Sequence, residues 1–405
     1  MIENYKNKFT GIHFLLAIAL IAPKIGLIDW PVIFMLIIVF LTFLKSKLII
    51  KLPKKFYQIA LLWGFLIFLS ALTFLSNDKV DPIFFLKPFR QILLLALAII
   101  IVKSNNIKLI EFFYVIVIAA LLNSTLIGIQ LIGHNFFKIQ NFLILSNFDM
   151  VRDVPFRKPG FMAGYPHSGF LSVIGMYCLL SFAKFWNRST FVVIWVLFTL
   201  TLIVTSRAAF LAGIVPSILF FLMGMKSKIV FKKLSYYSII GISTIIYLVS
   251  ILPINTYRVA FEMFINFSEN KGFTTASSSA LLDSFYFPSH LSTYFFGNGD
   301  YMRNDMNLNV DDGFQIMLYG CGIFYLLISL LIYIYYAYLS SKGTEIEFQK
   351  KLIIFIFMTI LFFNLKSDMI FSRVFSDIFA FLVAIGLLNN QNTVSQKVKI
   401  LFKMK

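Results

Sequence analysis

Charged residues are scarce in this sequence. Asp, Glu, Lys and Arg make up 13% of its 405 residues, whereas soluble domains carry about 25%. Hydrophobic residues make up 59% of the chain, and the mean hydropathy is +0.86. A chain of this composition cannot cover itself with a hydrated surface, which excludes an ordinary soluble enzyme or binding domain. The sequence therefore predicts a membrane protein, in which each span takes about 20 apolar residues.

Cysteine and histidine are also rare. The two cysteines, Cys178 and Cys321, lie at or inside apolar segments. Neither has the spacing of a disulfide framework or of a metal site. The four histidines form no metal-binding pattern with Asp or Glu either. We therefore expect no metal and no cofactor.

Hydropathy predicts an all-α polytopic protein with about 12 transmembrane helices. The chain, residues 1–405, is expected to form a single membrane domain. Two connections are long, at 133–164 and 255–312, and both are predicted to be periplasmic loops that carry function. The predicted spans lie near residues 9–23, 31–44, 56–75, 83–102, 109–132, 165–183, 190–205, 207–225, 235–254, 313–340, 352–366 and 371–388.

The distribution of charge predicts the orientation. With the N-terminus inside, the inner segments hold 22 basic and four acidic residues, and the outer segments hold 14 of each. The inner side thus carries the whole net charge of +18, which is the pattern of cytoplasmic loops. Both termini are predicted to be cytoplasmic, and the basic charge indicates no nucleic-acid partner.

Arginine has the opposite distribution. Of eight arginines, only Arg188 falls on the predicted inner side, although lysine is abundant there. Orientation requires only positive charge, so arginines concentrated outside suggest planar, bidentate recognition of phosphate or carboxylate. The alternative is that these side chains extend to the membrane surface or pair with outer acidic residues.

The first long loop ends in a basic, glycine-containing stretch. Arg152, Arg157 and Lys158 precede Gly160 and Gly164, which stand just before the predicted span 165–183. Glycine lets the backbone approach a ligand closely, and a helix N-terminus favours an anion. This stretch is a candidate diphosphate cradle. The alternative is a basic loop that contacts lipid headgroups.

The second long loop ends in two carboxylates. Asp311 and Asp312 stand at the N-terminal end of the long span predicted at 313–340, at the expected membrane edge. A partly desolvated carboxylate can act as a general base or hold an acceptor hydroxyl. The alternative is simple capping of the helix.

Several short motifs occur in order along the chain and on the same predicted face. They are Arg157–Phe161 followed by Pro166–Ser168, Thr205–Ala208, Gly297–Gly299, Asp311–Phe314 and Gly322. Together they resemble motifs of the O-antigen polymerase and O-antigen ligase superfamily of bacterial inner-membrane proteins. The ligases place a His about ten residues before a Gly at the end of their large loop; here Asp311 occupies that place relative to Gly322, which favours a polymerase.

The resemblance implies a polymerase of surface polysaccharide repeat units. Such an enzyme transfers the growing glycan from undecaprenyl diphosphate onto the next lipid-linked repeat unit, in the inner membrane and without metal. Asp311, Asp312 and His167 are the candidate catalytic residues, in that order. The candidate diphosphate-binding residues are Arg152, Arg157, Lys158, Arg207, Arg258 and Arg303.

Partners and rival functions follow from the same resemblance. The expected partners are the lipid-linked oligosaccharide, membrane lipids and a chain-length regulator protein. One alternative is a ligase that attaches finished glycan to another acceptor. Another is a flippase or transporter for lipid-linked sugars, which would require internal repeats and mid-membrane charges.

Overall fold

The structure is a computed structural model. It describes residues 10–23, 28–45, 52–77, 80–135, 137, 158–162, 164–182, 188–224, 243, 262–270, 288, 290–299, 312–365 and 368–403. These residues are almost entirely helical. The helices are α1 Gly11–Ile21, α2 Trp30–Lys45, α3 Lys54–Ser76, α4 Ile83–Asn105, α5 Leu109–Asn135, α6 Tyr165–Leu180, α7 Arg188–Thr205, α8 Arg207–Gly224, α9 Glu262–Ser268, α10 Leu291–Phe296, α11 Gly313–Ser341, α12 Glu347–Phe363 and α13 Arg373–Lys403.

The helical character of the prediction is confirmed. Within the described part of the chain, four helices are long and apolar enough to cross a membrane, namely α3, α4, α5 (counted over Leu109–Gly133) and α11. Shorter apolar helices include α1 and α2. The predicted span 235–254 lies outside the described residues, and the number of crossings stays a prediction. Helices α9 and α10 fall inside the long loop predicted at 255–312.

The chain divides into two compact units. Unit 1 comprises Met1–Pro31 and Phe113–Ala280, and unit 2 comprises Val32–Phe112 and Leu281–Lys405. Each unit is therefore built from two separate stretches of sequence. Two of the three boundaries fall within α2 and near the start of α5, and the third follows Ala280, outside the described residues.

Unit 1 is organised around α6. This helix packs against α7 and α8, and all of its residues from Ser168 to Leu180 are buried. Small residues allow the close approach: a Cβ atom on Gly175 would lie 2.9 Å from the Cβ of Ala120 in α5 and 3.0 Å from the ring of Phe198 in α7. An apolar helix that is buried on all sides forms the centre of a membrane bundle rather than its lipid face.

Unit 2 is organised around α11. This helix packs against α3, α12 and α13, and α4 packs against α3 and α13. The indole Nε1 of Trp63 in α3 donates to the hydroxyl of Tyr336 in α11 at 2.8 Å. The rings of Phe357 and Phe379 stack with centroids 4.4 Å apart, which joins α12 to α13. These aromatic contacts supply the interdigitated packing that holds helices together where water does not drive association.

Both units expose large apolar side chains on their helix surfaces. Leu75 in α3 is 80% exposed, and large apolar side chains are exposed along α2, α3, α8, α11 and α12. A soluble protein rarely leaves apolar surface of this extent in contact with water. The exposed side chains are therefore the lipid-facing surface of a membrane-embedded protein.

Helix α11 is interrupted at Gly322. This residue has φ 84° and ψ 177°, so the regular helical hydrogen bonding stops in the turn before it. The amide of Asn298, just after α10, donates to the carbonyl of Tyr319 at 2.7 Å. The amide of Gly299 donates to the carbonyl of Gly320 at 2.9 Å. The segment that follows α10 thus supplies hydrogen-bond donors to carbonyls next to the break in α11.

We expect Gly322→Ala to destabilise unit 2. A Cβ atom at position 322 would lie 2.0 Å from the backbone carbonyl oxygen of Phe295, and its positive φ disfavours any L side chain. The cost should be about 1–3 kcal/mol of unfolding free energy, measured by denaturant titration in detergent. Gly64→Ala is the control because nothing lies within 4 Å of its Cβ position. Equal stability of the two variants would contradict this assignment.

Candidate functional site

In unit 1, the loop before α6 is fastened to α5 by two carboxamides. The side chain of Gln130 accepts from the amide of Gly160 at 3.0 Å and donates to its carbonyl at 3.1 Å. The amide of Phe161 donates to Oδ1 of Asn123 at 2.8 Å. Asn123 and Gln130 are fully buried and lie seven residues apart, on one face of α5. Hydrogen bonds to α5 therefore hold the backbone of this loop in place at Gly160 and Phe161.

Gly160 is required by this geometry. Its φ of 61° is in the left-handed region, where glycine is favoured. A Cβ atom here would lie 2.3 Å from Oδ1 of Asn123, which is the atom that accepts from Phe161. Glycine is thus needed at position 160 because the loop lies directly against α5, and its role beside a ligand stays a prediction.

Lys158 and the first turn of α6 lie on the same loop. Lys158 is only 1% exposed. The hydroxyl of Ser168 donates to the carbonyl of Pro159, which ties the loop to α6. Helix α6 begins after Gly164, with a proline in its first turn and His167 immediately before Ser168. Lys158, Gly160, Gly164 and His167 therefore lie on one short segment that is fastened to α5 and α6, and their roles at a ligand stay a prediction.

The turn between α7 and α8 lies beside the same end of α6. A Cβ atom on Gly169 would be 2.5 Å from the Cβ of Ala209 and 2.7 Å from Oγ1 of Thr205. This close contact places the Thr205–Ala208 turn against the residue that follows Ser168. Two of the motifs that the sequence singled out, far apart along the chain, therefore meet at one end of unit 1.

Arg207 starts α8 at this turn. It is partly buried and forms an ion pair with Glu262, the first residue of α9. Glu262 was not among the residues predicted from the sequence. The pairing of Arg207 with Glu262 could not be inferred from the sequence, because Glu262 lies 55 residues further along the chain, in the long loop predicted at 255–312. Arg207 thus belongs to the turn that packs against Gly169 of α6, and its charge is balanced by one carboxylate.

We expect Gln130→Leu to release the Lys158–Gly160 loop. The buried amide and carbonyl of Gly160 would lose the partner that Gln130 supplies to both, at a cost of about 1–3 kcal/mol. Hydrogen exchange at Gly160 and Phe161 should accelerate in this variant. Thr125→Val is the control, because the Thr125 hydroxyl bonds only to a carbonyl of its own helix, at 2.9 Å, on an exposed face. Unchanged exchange in Gln130→Leu would contradict this role.

In unit 2, Asp312 caps α11. Its Oδ1 accepts from the amide of Phe314 at 2.8 Å, and the side chain is completely buried. The amide of Gly313 donates to the carbonyl of Asn364 at 2.8 Å, and Oδ1 of Asn364 accepts from Met369. The connection after α12 therefore packs over the start of α11. The capping interpretation of Asp312 is confirmed, and its catalytic role stays a prediction.

Two ion pairs join α4 to the segment around the start of α13. Lys87 pairs with Asp368. Arg90 pairs with Asp377 at 2.9 Å and also donates to the hydroxyl of Ser376 at 3.0 Å. Asp377 is fully buried. The sequence did not predict these pairs, although two cations early in an otherwise apolar helix are a signal that partners exist.

Several predicted residues lie outside the described part of the chain. They are Arg152, Arg157, Arg258, Arg303 and Asp311. Gly322 is described and belongs to unit 2, where it breaks α11. Among the described residues, no three His, Cys, Asp or Glu side chains come together as a metal site requires.

Comparison with known proteins adds no family assignment. No family model matches the chain, and no curated protein matches it. Any function proposed for the chain therefore depends on its own residues and on their geometry.

Proposed function

We propose that this protein is a polymerase of surface polysaccharide repeat units. It transfers a growing glycan from undecaprenyl diphosphate onto the next lipid-linked repeat unit. The proposal includes a bacterial inner membrane location, about 12 spans and cytoplasmic termini, which the charge distribution supports. The lipid-linked oligosaccharide and membrane lipids are its partners, together with a chain-length regulator protein.

One observation carries the proposal. In unit 1, the Lys158–Gly160 loop, the first turn of α6 and the turn before Arg207 meet at one end of the bundle. The segment before Lys158 adds Arg152 and Arg157 in sequence. Cations gathered at the end of an apolar helix bundle suit a ligand that combines an anionic headgroup with a lipid tail.

The reaction requires what these residues can provide. The oxygen of an acceptor hydroxyl attacks the anomeric carbon of the donor glycan, and the bond from that carbon to the diphosphate oxygen breaks. The diphosphate leaves with the electron pair, so negative charge develops on it. Guanidinium and ammonium groups held in place beside it stabilise this charge without having to reorganise.

The acceptor hydroxyl must also lose its proton. Asp311 is our first candidate for the base, followed by Asp312 and His167. Asp312 already uses one carboxylate oxygen to cap α11, which favours Asp311 among the two carboxylates. A base must come within hydrogen-bonding distance of the hydroxyl that it deprotonates.

The surface glycan of a cell that lacks this gene tests the proposal. A polymerase deletion should remove the ladder of chain lengths and leave a core with a single repeat unit. Restoring the gene should restore the ladder. A normal ladder in the deletion strain would rule the proposal out.

The same experiment separates the rival functions. Loss of every capped form, including the single repeat, would point to a ligase or a flippase instead. Those two differ in the membrane face at which the lipid-linked precursor accumulates. It accumulates at the periplasmic face when a ligase is missing and at the cytoplasmic face when a flippase is missing.

A further inference from the structure

An apolar groove runs between α7 and α8 in unit 1. Its volume is about 360 Å³, and it is open to the side of the helices. This is within the range of sites that hold a small ligand or part of a larger one. The lining residues are Thr199, Leu202, Phe210, Gly213, Ile214, Ser217 and Ile218.

The two hydroxyls in the groove are already satisfied. Thr199 donates to the carbonyl of Trp195 at 2.9 Å, and Ser217 donates to the carbonyl of Gly213 at 2.8 Å. Both bonds stay within the helix of the donor, so these hydroxyls have no donor left for a polar ligand and keep only acceptor capacity. The other lining residues carry no polar side chain, so the groove suits a hydrocarbon better than a sugar or a peptide.

Gly213 contributes to the shape of the groove. A Cβ atom at this position would lie 2.3 Å from Cδ1 of Leu202. Because Gly213 has no side chain, Leu202 can lie directly against the backbone of α8. The space in front of these two residues stays open between Phe210 and Ser217.

The groove and a cation lie on one face of α8. Phe210, Ile214 and Ile218 follow Arg207 at positions three, seven and eleven, which is the spacing of a single helical face. At a rise of 1.5 Å per residue, the groove extends about 16 Å from Arg207. A ligand with an anionic head at Arg207 and an apolar tail would lie along this face.

We propose that the groove holds the first isoprene units of a polyisoprenoid diphosphate whose headgroup lies at Arg207. The identity of the headgroup rests on the proposed function, whereas the groove itself does not depend on it. The groove begins at Phe210, one helical turn from Arg207 and on the same face of α8, which favours one molecule that carries both an anionic head and a hydrocarbon tail. An anionic phospholipid has both parts as well, so phosphatidylglycerol is the competitor in the test.

Binding of two soluble probes to the purified full-length protein tests this site. Inorganic diphosphate represents the headgroup alone, and farnesyl diphosphate represents the headgroup with a short isoprenoid tail. We expect the wild-type protein to bind farnesyl diphosphate at least about tenfold more tightly than inorganic diphosphate, because burial of even a few methylene groups is worth this much. Phosphatidylglycerol should not displace it.

Two neighbouring tryptophan substitutions form a matched pair. Ile214→Trp fills the groove and should abolish the advantage of farnesyl diphosphate without weakening inorganic diphosphate. Val215→Trp should leave both affinities unchanged, because Val215 is similarly exposed (40% against 43% for Ile214) but does not line the groove. Equal behaviour of the two variants would overturn the groove assignment, as would displacement by phosphatidylglycerol.

A photoreactive farnesyl diphosphate checks the same site without any substitution. It should label residues of α7 and α8 in the wild-type protein, and labelling confined to other helices would overturn the proposal. If farnesyl diphosphate binds but Ile214→Trp has no effect, the groove proposal fails and the proposed function stands. If the wild-type protein binds neither diphosphate probe, both fail.

Discussion

Asp377→Leu is expected to lower the free energy of unfolding by about 3–5 kcal/mol, because it leaves a largely buried guanidinium without its carboxylate. Arg90 pairs with Asp377 at 2.9 Å and is itself only slightly exposed. The pair joins α4 to α13, two helices in direct contact. In an apolar bundle, little water is available to solvate the Arg90 guanidinium once its carboxylate is removed. Denaturant titration in a defined detergent measures the loss.

The double variant Arg90→Met with Asp377→Leu separates the value of the pair from the cost of an isolated charge. Removing both charges should restore most of the stability that Asp377→Leu loses, because apolar side chains can replace a buried ion pair at little cost. The pair Lys350–Glu347, which is much more accessible to solvent and has an N–O distance of 3.7 Å, is the control. Its removal should change stability by less than about 1 kcal/mol. Additive losses in the double variant would contradict a buried, coupled pair.

The positions of many helices could be predicted from the sequence. The span predicted at 313–340 corresponds to α11, Gly313–Ser341, and the span predicted at 83–102 corresponds to α4, Ile83–Asn105. Long apolar runs must form helices in a membrane, because every backbone amide and carbonyl needs a partner within the segment. Asp312 was also assigned to a helix start correctly, since a carboxylate before such a run commonly caps it.

The break inside α11 could not be predicted in the same way. Gly322 was singled out only as part of a motif, and nothing in the local sequence indicates that Asn298 and Gly299 supply hydrogen bonds to the preceding turn. Glycine is common within membrane helices, where it usually permits close packing rather than a break. The difference depends on a segment that is distant along the chain.

The partners of the polar side chains could not be predicted from the sequence either. Asn123 and Gln130 stand in an apolar helix, and the sequence alone does not say that both face the same loop and hold it at Gly160 and Phe161. In a chain where apolar residues occupy most positions, hydropathy locates helices but gives little information on which faces meet. The pairing of polar groups is fixed by the packing of helices, which is a property of the whole unit.

Arg207→Ala is expected to abolish the ladder of glycan chain lengths. If the guanidinium stabilises the departing diphosphate, its loss should slow the transfer by about 10²–10³-fold. Arg207→Lys should retain part of the activity, since a lysine keeps the charge but not the bidentate geometry. Silver-stained gels of the surface glycan, from cells with equal amounts of the protein in their membranes, measure the effect.

Glu262→Ala distinguishes a role in binding from a structural one. Arg207 and Glu262 form an ion pair that fastens α9 to the start of α8. If Arg207 serves only this contact, Glu262→Ala removes it just as Arg207→Ala does, and both variants should lose the ladder. If Arg207 binds the diphosphate, Glu262→Ala removes a competing anion and leaves the guanidinium in place, so its ladder should persist. Loss of the ladder in both variants would therefore assign Arg207 to the architecture of unit 1 rather than to the chemistry.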